Sequence, residues 1–300
     1  MRWTKLGRLY APTSRHPKLA SHAANPVAIH LDGDVFRILY SGRDAENRSS
    51  VGMVDIDIRK RRVVDASDEP LFVHGPPESF YAAGVSVGCV YEANGQSYVL
   101  FMGWQNPPGG HWRGDIGRLR LENGTLLLAD DVPLLGASPQ DPISLSYPWV
   151  VSTREGFIMW YGSTVAWDAG NGEMLHVFNR ARSSDGLVWA REGQAVPYSL
   201  GEAQAFSRPT VLRRDSGEWD MWFSYRGAPG RSYRIGHAAS GDGCEWTLDL
   251  EGAVIDVSES GWDSEMTCYP FVFDHDGKRY MLYNGNGYGR SGFGLAVLDG

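Results

Sequence analysis

Three hundred residues, of which 42% are hydrophobic and 21% charged, describe a water-soluble globular chain with ample material for a buried core. The formal charge of −8 argues against nucleic acid as a partner, and no run of about 18 apolar residues is present to cross a bilayer. Thirty-seven glycines beside 11 tryptophans and 14 tyrosines suit short strands joined by tight turns, because aromatics fit pleated sheets and glycine tolerates positive φ.

The chain opens with "MRWTKLGRLYAPTSRHPK", which lacks the apolar stretch of a secretory signal and contains one strand-like run, "RWTKLGRLY". Five units follow. Each has an apolar first strand, a glycine turn and an aromatic-ended second strand: "NPVAIHL" to "VFRILY", "VSVGCVY" to "SYVLFM", "YPWVVST" to "FIMWYG", "RPTVLRR" to "WDMWFS", and "YPFVFDH" to "RYMLYN". The turn glycines, Gly33, Gly95, Gly156, Gly217 and Gly277, recur every 60 to 62 residues, mostly in Asp-Gly, Asn-Gly or Ser-Gly pairs that favour hairpins. Four first strands open on proline, at 26, 148, 209 and 270, where the missing N–H costs least; the second unit has Val87 there. Third strands are "VGMVDID", "IGRLRL", "LHVFNRA", "YRIGHAA" and "GFGLAVL". Matching turns, "SSDGLVW" and "SGDGCEW", lead from units three and four toward fourth strands. A repeat of about 60 residues with no amphipathic helix predicts an all-β fold, a five-bladed β-propeller spanning residues 1–300 as one domain. The last unit lacks an outer strand, and the N-terminal run is expected to supply it and cover the open edge.

In such a fold the entries of the first strands and the exits of the second strands gather at one mouth. The residues before the first-strand starts are Asn25, Ser86, Tyr147, Arg208 and Tyr269, and those three beyond the second-strand aromatics are Arg43, Trp104, Thr164, Arg226 and Asn286. Polar and aromatic groups in rings describe a small-molecule pocket, and one suited to sugars, whose C–H faces stack on aromatics while their hydroxyls hydrogen-bond. Arg43, Arg208 and Arg226, with Arg290 in "NGNGYGRSGFG", favour an anionic group on the ligand. That glycine-rich segment is not a phosphate-binding loop, since no helix follows it. Carboxylates lie upstream of the first strands: Glu78, Asp141, Glu202 and Glu265. Paired carboxylates are what glycosidic cleavage requires. On this reading Glu265, flanked by Trp262 and Tyr269, is the general acid and Glu202 and Asp141 are candidates for the base. No GxSxG serine motif occurs. Neither His22, His176 nor His237 has metal-ligand spacing, and His176 and His237 read as structural. The three cysteines, Cys89, Cys244 and Cys268, form no metal pattern and read as reduced thiols of a cytoplasmic protein. No metal or cofactor is expected.

The blade pattern "Pro-x-Val…Gly…Tyr-x-Leu-Tyr" and the "SSDGLVW" turn resemble the five-bladed propeller superfamily of arabinanases, β-xylosidases, levansucrases and invertases, with the related mannoside phosphorylases. That resemblance implies a carbohydrate-active enzyme, a glycoside hydrolase or phosphorylase. It also implies an acid before the blade-one proline, an Asp at the start of blade two and a Glu near the start of blade three. This chain has Asn25, Ser86 and Ser146 there, so a hydrolytic mechanism would have to draw its acids from Glu78, Asp141, Glu202 or Glu265. The alternatives are a non-hydrolytic biosynthetic enzyme acting on a sugar or secondary metabolite, and a sugar-binding propeller without catalysis.

Overall fold

The computed structural model describes residues 2–252 and 255–299. Strand β1 (Arg2–Tyr10) and a single 3-10 turn, Pro17–Leu19, precede five strand groups. The first holds β2 (Ser21–Asp32), β3 (Val35–Arg43), β4 (Ser49–Asp57) and β5 (Arg62–Ala66). Next come β6 (Gly84–Ala93), β7 (Gln96–Gln105), β8 (Arg113–Glu122) and β9 (Thr125–Leu128). The third comprises β10 (Ser144–Thr153), β11 (Gly156–Ala166), β12 (Leu175–Ser183) and β13 (Ala190–Gln194). Then follow β14 (Ala205–Arg213), β15 (Trp219–Arg226), β16 (Arg234–Ser240) and β17 (Thr247–Asp249), and finally β18 (Cys268–His275), β19 (Lys278–Asn284) and β20 (Phe293–Asp299). The architecture is all-β and propeller-like. No helix among the described residues is long and apolar enough to cross a membrane.

Within each group, consecutive strands pair antiparallel. All five turn glycines have positive φ, and at Asn94–Gly95 and Asp276–Gly277 both turn residues do, the geometry of a type I′ hairpin. First strands touch in a cycle, β2 to β6 to β10 to β14 to β18 and back to β2. Aromatic rings fill the spaces between groups. Phe178 stacks on Phe206 at 5.3 Å between centroids, and Trp160 meets Trp219 at 5.7 Å and Trp246 at 6.0 Å.

The fifth group obtains its fourth strand from the other end of the chain: β1 pairs antiparallel with β20, Trp3 opposite Leu298 and Tyr10 opposite Phe293. Both aromatics are buried, Trp3 edge-on to Trp222 at 6.0 Å and Tyr10 hydroxyl-to-hydroxyl with Tyr40 at 3.3 Å. Deleting residues 2–10 would uncover β20 along its length and empty both aromatic sites. The expected result is a lower Tm and oligomers in size-exclusion chromatography. A truncated chain that stays monomeric with an unchanged Tm would show that β20 needs no cover.

The entries of the first strands share one local device. Asn25, Tyr147, Arg208 and Tyr269 all precede proline, and all sit in the left-handed region, with φ of 55°, 33°, 52° and 54°. A pre-proline residue is disfavoured in the α region, and a non-glycine residue at positive φ is strained by about 1–3 kcal/mol. The ladder shows why the strain persists. At each site the register skips two residues on the first strand, between Ala24 and Val27, Ser146 and Trp149, Ser207 and Thr210, and Cys268 and Phe271. Such a bulge re-aims side chains. At two of the four sites the N–H displaced from the ladder is recovered by a side chain of the preceding group: Asn25 N–H donates to Asn284 Oδ1 at 2.8 Å, and Tyr269 N–H to Ser224 Oγ at 2.7 Å.

In the second group the same bond runs from Val87 N–H to Ser41 Oγ, 3.1 Å, and the ladder skips Gly88. Val87 is therefore the counterpart of Tyr147, and Gly88 that of the proline. This corrects the sequence alignment by one residue: Ser86 belongs with Ser146 and Ser207, one step before the ring. Glycine is required at 88 because a Cβ would press on the carbonyl oxygen and ring of Pro148, 2.7 and 2.9 Å away.

Candidate functional site

The first-strand entries and second-strand exits enclose a cavity of about 400 Å³, within the range of small-molecule sites (roughly 300–1,000 Å³). Its aromatic lining is Trp104, Trp112, Tyr147, Phe206, Tyr233, Tyr269 and Tyr288, with Met102 and Met174. Polar groups are Arg43, Asn47, Asn106, Arg226, His176 and the serines 86, 146 and 207. Three serines at corresponding positions of successive groups form an arc of hydroxyls. No carboxylate is among the lining residues.

Of the residues expected to bind substrate, Arg43, Trp104, Tyr147, Arg226 and Tyr269 line this cavity together. The other five do not. Arg208 is fully buried: its Nη1 donates to the Val87 carbonyl at 2.6 Å and its Nη2 to the Pro26 carbonyl at 2.7 Å. Fourth-group Arg208 thus pins the first two groups across the centre. Asn25 is buried, with its N–H on Asn284 and its own Oδ1 without a partner. Asn286 ties down an entry loop, its Oδ1 accepting from the N–H groups of Glu265 (2.8 Å) and Met266 (3.2 Å). Glu78 and Arg290 are exposed outside the cavity.

None of the three proposed catalytic carboxylates lines the cavity either. Asp141 is completely buried and committed: it accepts from Tyr161 Oη at 3.0 Å and Asn179 Nδ2 at 2.8 Å, and pairs with Arg191 at 2.8 Å. Asp263 does the same in the fifth group, accepting from Tyr283 Oη at 3.0 Å and pairing with Lys5 at 2.7 Å. Each Asp stands seven residues before its proline, so the true counterpart of Asp141 is Asp263 rather than Glu265. These acids anchor the second-strand tyrosines. Glu265 is exposed, not enclosed by Trp262 and Tyr269: Trp262 packs on Tyr283 and Tyr269 on Tyr147. Glu202 is exposed on a loop whose backbone presses on Gly227, where any Cβ would collide.

Two arginines, Arg43 and Arg226, line the cavity. Arg226 sits over the Tyr233 ring at 4.9 Å and pairs with the buried Glu173, Nε to Oε2 at 3.0 Å and Nη2 to Oε1 at 3.1 Å. Burial opposes its charge, but Tyr233, Glu173 and Tyr288 outweigh burial and raise its pKa. Arg208, beneath Tyr147 and Tyr269, has no carboxylate partner among the described residues; burial brings its pKa down to about 10, so it stays charged at neutral pH. Arg43 is held by Asn47 Oδ1 at 2.7 Å.

His176, read from sequence as structural, lies in the wall between two hydroxyls, its Nε2 2.7 Å from Ser146 Oγ and its Nδ1 2.7 Å from Thr164 Oγ1. Burial, reinforced by the charge of Arg226, pushes its pKa down to about 3, so the imidazole is neutral. Gly162 makes room for this line, since a Cβ there would overlap Ser146 Oγ and His176 Nε2. Sequence reasoning also missed Glu173 and Tyr288, which lie in loops, and Tyr233, which stands just before β16 at the head of "YRIGHAA". The legible signal for His176 was its group's departure from the repeat, with Gly162 where Ser41, Ser224 and Asn284 stand elsewhere.

Comparison with known proteins agrees with this architecture. No family model matches the chain. Two proteins of Mycobacterium tuberculosis, "Uncharacterized protein Rv1502" of strain H37Rv and "Uncharacterized protein MT1551" of strain CDC 1551, are 41% identical over 302 residues, covering all of both chains. Among solved structures, one described as "Glycoside hydrolase" superposes with a TM-score of 0.75 at 15% identity, over 99% of this chain and 91% of that one. The endo-arabinase of Bacteroides thetaiotaomicron superposes with a TM-score of 0.64 at 14% identity, over 94% and 96%. At such identities the likeness is one of fold. The chain belongs to the family of the two mycobacterial proteins, built on the fold of the propeller glycosidase superfamily.

Proposed function

We propose that the five strand groups are the blades of a single five-bladed propeller closed by β1, and that its central cavity takes a small sugar bearing an anionic group. Supporting this reading is the composition of the wall: aromatic faces for sugar C–H surfaces, serine hydroxyls for its hydroxyls, and two arginines, of which Arg226 is paired with Glu173 behind the wall and Arg43 has only the neutral Asn47 on it. The same wall argues against glycoside hydrolysis by paired carboxylates. That chemistry needs two acids about 5–10 Å apart across the scissile bond, and Glu265, Glu202 and Asp141 all lie outside the lining. The reading favoured here is a carbohydrate-active protein that binds or modifies an anionic sugar without that acid pair.

Thermal shift with glucuronate, glucose 1-phosphate and neutral glucose tests this. A ligand at a hundred times its Kd stabilises the native state by about 2.7 kcal/mol. The anionic sugars should raise Tm, glucose should not, and Arg226→Gln should abolish the difference. Equal shifts from glucose and from the sugar acids would overturn the anionic reading. Hydrolysis of an aryl glycoside that is lost in Glu265→Gln and Glu202→Gln would restore the carboxylate mechanism.

A further inference from the structure

The third blade departs from the repeat at three positions that touch one another. Where the first, fourth and fifth blades carry Ser41, Ser224 and Asn284, each accepting an N–H of the next blade, the second carries Met102 and the third Gly162, and of these two only the glycine opens space. The space this leaves is filled by the contact of Ser146 Oγ with His176 Nε2. At the second-strand exit, where other blades place Arg43, Trp104, Arg226 and Asn286, the third has Thr164, buried and bonded to His176 Nδ1. The third blade thus carries a buried polar line, Thr164 to His176 to Ser146, that ends on a hydroxyl lining the cavity.

The chemistry of the line is constrained. A neutral imidazole has one donor and one acceptor nitrogen, and both of its neighbours here are hydroxyls that can play either part. Only two arrangements are consistent. In one, Thr164 Oγ1–H donates to Nδ1 and Nε2–H donates to Ser146 Oγ, which leaves the Ser146 proton free to point into the cavity. In the other, every proton is reversed, and Ser146 presents lone pairs. The two differ in which imidazole nitrogen holds the proton and in how both hydroxyls are turned, so neither places a net charge in the buried line. An anionic oxygen beside Ser146 is repelled by lone pairs and attracted by O–H, so it selects the first arrangement.

We propose that Ser146, held by His176 and Thr164, is the oxyanion contact of the cavity: its hydroxyl donates to a carboxylate or phosphate oxygen of the bound sugar, and Arg226 supplies the compensating charge. Arg226 is placed for this, two strands away on the ladder through Ala205, which neighbours both His176 and Arg226. Thr164 and His176 are positioning residues; Ser146 touches the ligand. The proposal rests on the anionic-sugar reading above and specifies which atom recognises the anion.

Histidine-labelled protein, observed by ¹⁵N NMR and titrated separately with glucuronate and glucose 1-phosphate, reads the tautomer directly and shows which oxyanion is accepted. With the better ligand bound, His176 should carry its proton on Nε2. Ser146→Ala should keep its fold and weaken that ligand on the order of tenfold to a hundredfold, as expected for losing a hydrogen bond to a charged group. Thr164→Val should weaken it less, and Thr164→Ser should restore it, which a merely structural role for the hydroxyl-bearing side chain would not require. Should wild-type protein prefer the anionic sugars while Ser146→Ala binds them equally well, or while bound His176 is protonated on Nδ1, the relay is wrong and the anionic-sugar reading stands. Absence of any anionic preference in the wild type removes both.

Discussion

Arg208→Met is expected to destabilise the protein by about 3 kcal/mol, measured by urea denaturation without ligand. Two hydrogen bonds from a charged donor are lost, each worth roughly 1.5–3 kcal/mol, and the carbonyls of Pro26 and Val87 are left buried without those partners. Against this stands the relief of removing a guanidinium that burial disfavours. The bonds win because they are short, because they are buried, and because they join three separate strand groups. Arg208→Lys should fall between, since one ammonium on a flexible stem cannot reproduce a planar fork reaching two carbonyls. A methionine variant as stable as the wild type would mean that the desolvation penalty cancels the bonds and that the guanidinium is not a structural pin. In that event its role would be the field it projects through Tyr147 and Tyr269 into the cavity, and the variant should then lose anion preference at unchanged stability.

The fold was legible because repetition amplifies weak signals. One Asp-Gly turn says little, but five glycines at near-constant spacing specify hairpins, and Pro26, Pro148, Pro209 and Pro270 mark strand entries where the structure has its bulges. Of the ten ring positions that the same repetition marks, six line one cavity: Arg43, Ser86, Trp104, Tyr147, Arg226 and Tyr269. It failed where an offset had to be chosen inside an irregular loop. Counting back from Pro270 singled out Glu265, five residues away, although Asp263 stands at the offset of Asp141 and makes the same bond to a second-strand tyrosine. In the second strand group a glycine replaces the proline, and the ring slips by one residue to Val87. Ring position alone also cannot say whether a side chain faces a cavity or the blade opposite. Arg226 and Arg208 were equivalent candidates on paper; the difference is that Glu173 and Tyr233 hold the first in the wall, whereas the second reaches across the axis to two carbonyls.

Acid should weaken this fold earlier than its carboxylates alone would require, and His176 is the cause to isolate. An unfolded histidine binds its proton near pH 6.5, whereas buried His176 resists protonation down to about pH 3. Between those values the unfolded state holds a proton that the native state lacks. Stability is therefore complete above pH 6.5 and falls as the pH drops toward 3, by about 1.4 kcal/mol per pH unit from this one residue. His22, lowered to about 4 by burial and by Arg43 and Arg290, acts in the same direction over a narrower range. Asp220, lowered to about 2, contributes below these: burial opposes its charge, but hydrogen bonds and charge from His237 and Arg214 prevail, so its stabilisation is lost only as the pH falls from 3.8 toward 2. The two histidines act together between pH 6.5 and 4, so substitution is what separates them. Unfolding free energies at pH 7, 6 and 5 should decline in the wild type, and His176→Gln, less stable at pH 7, should show a slope shallower by about 1.4 kcal/mol per unit below pH 6.5. Equal slopes in the two proteins would mean that His176 accepts a proton in place. It would then be an imidazolium beside Arg226, donating to both Ser146 and Thr164, and neither neutral arrangement would remain at that pH.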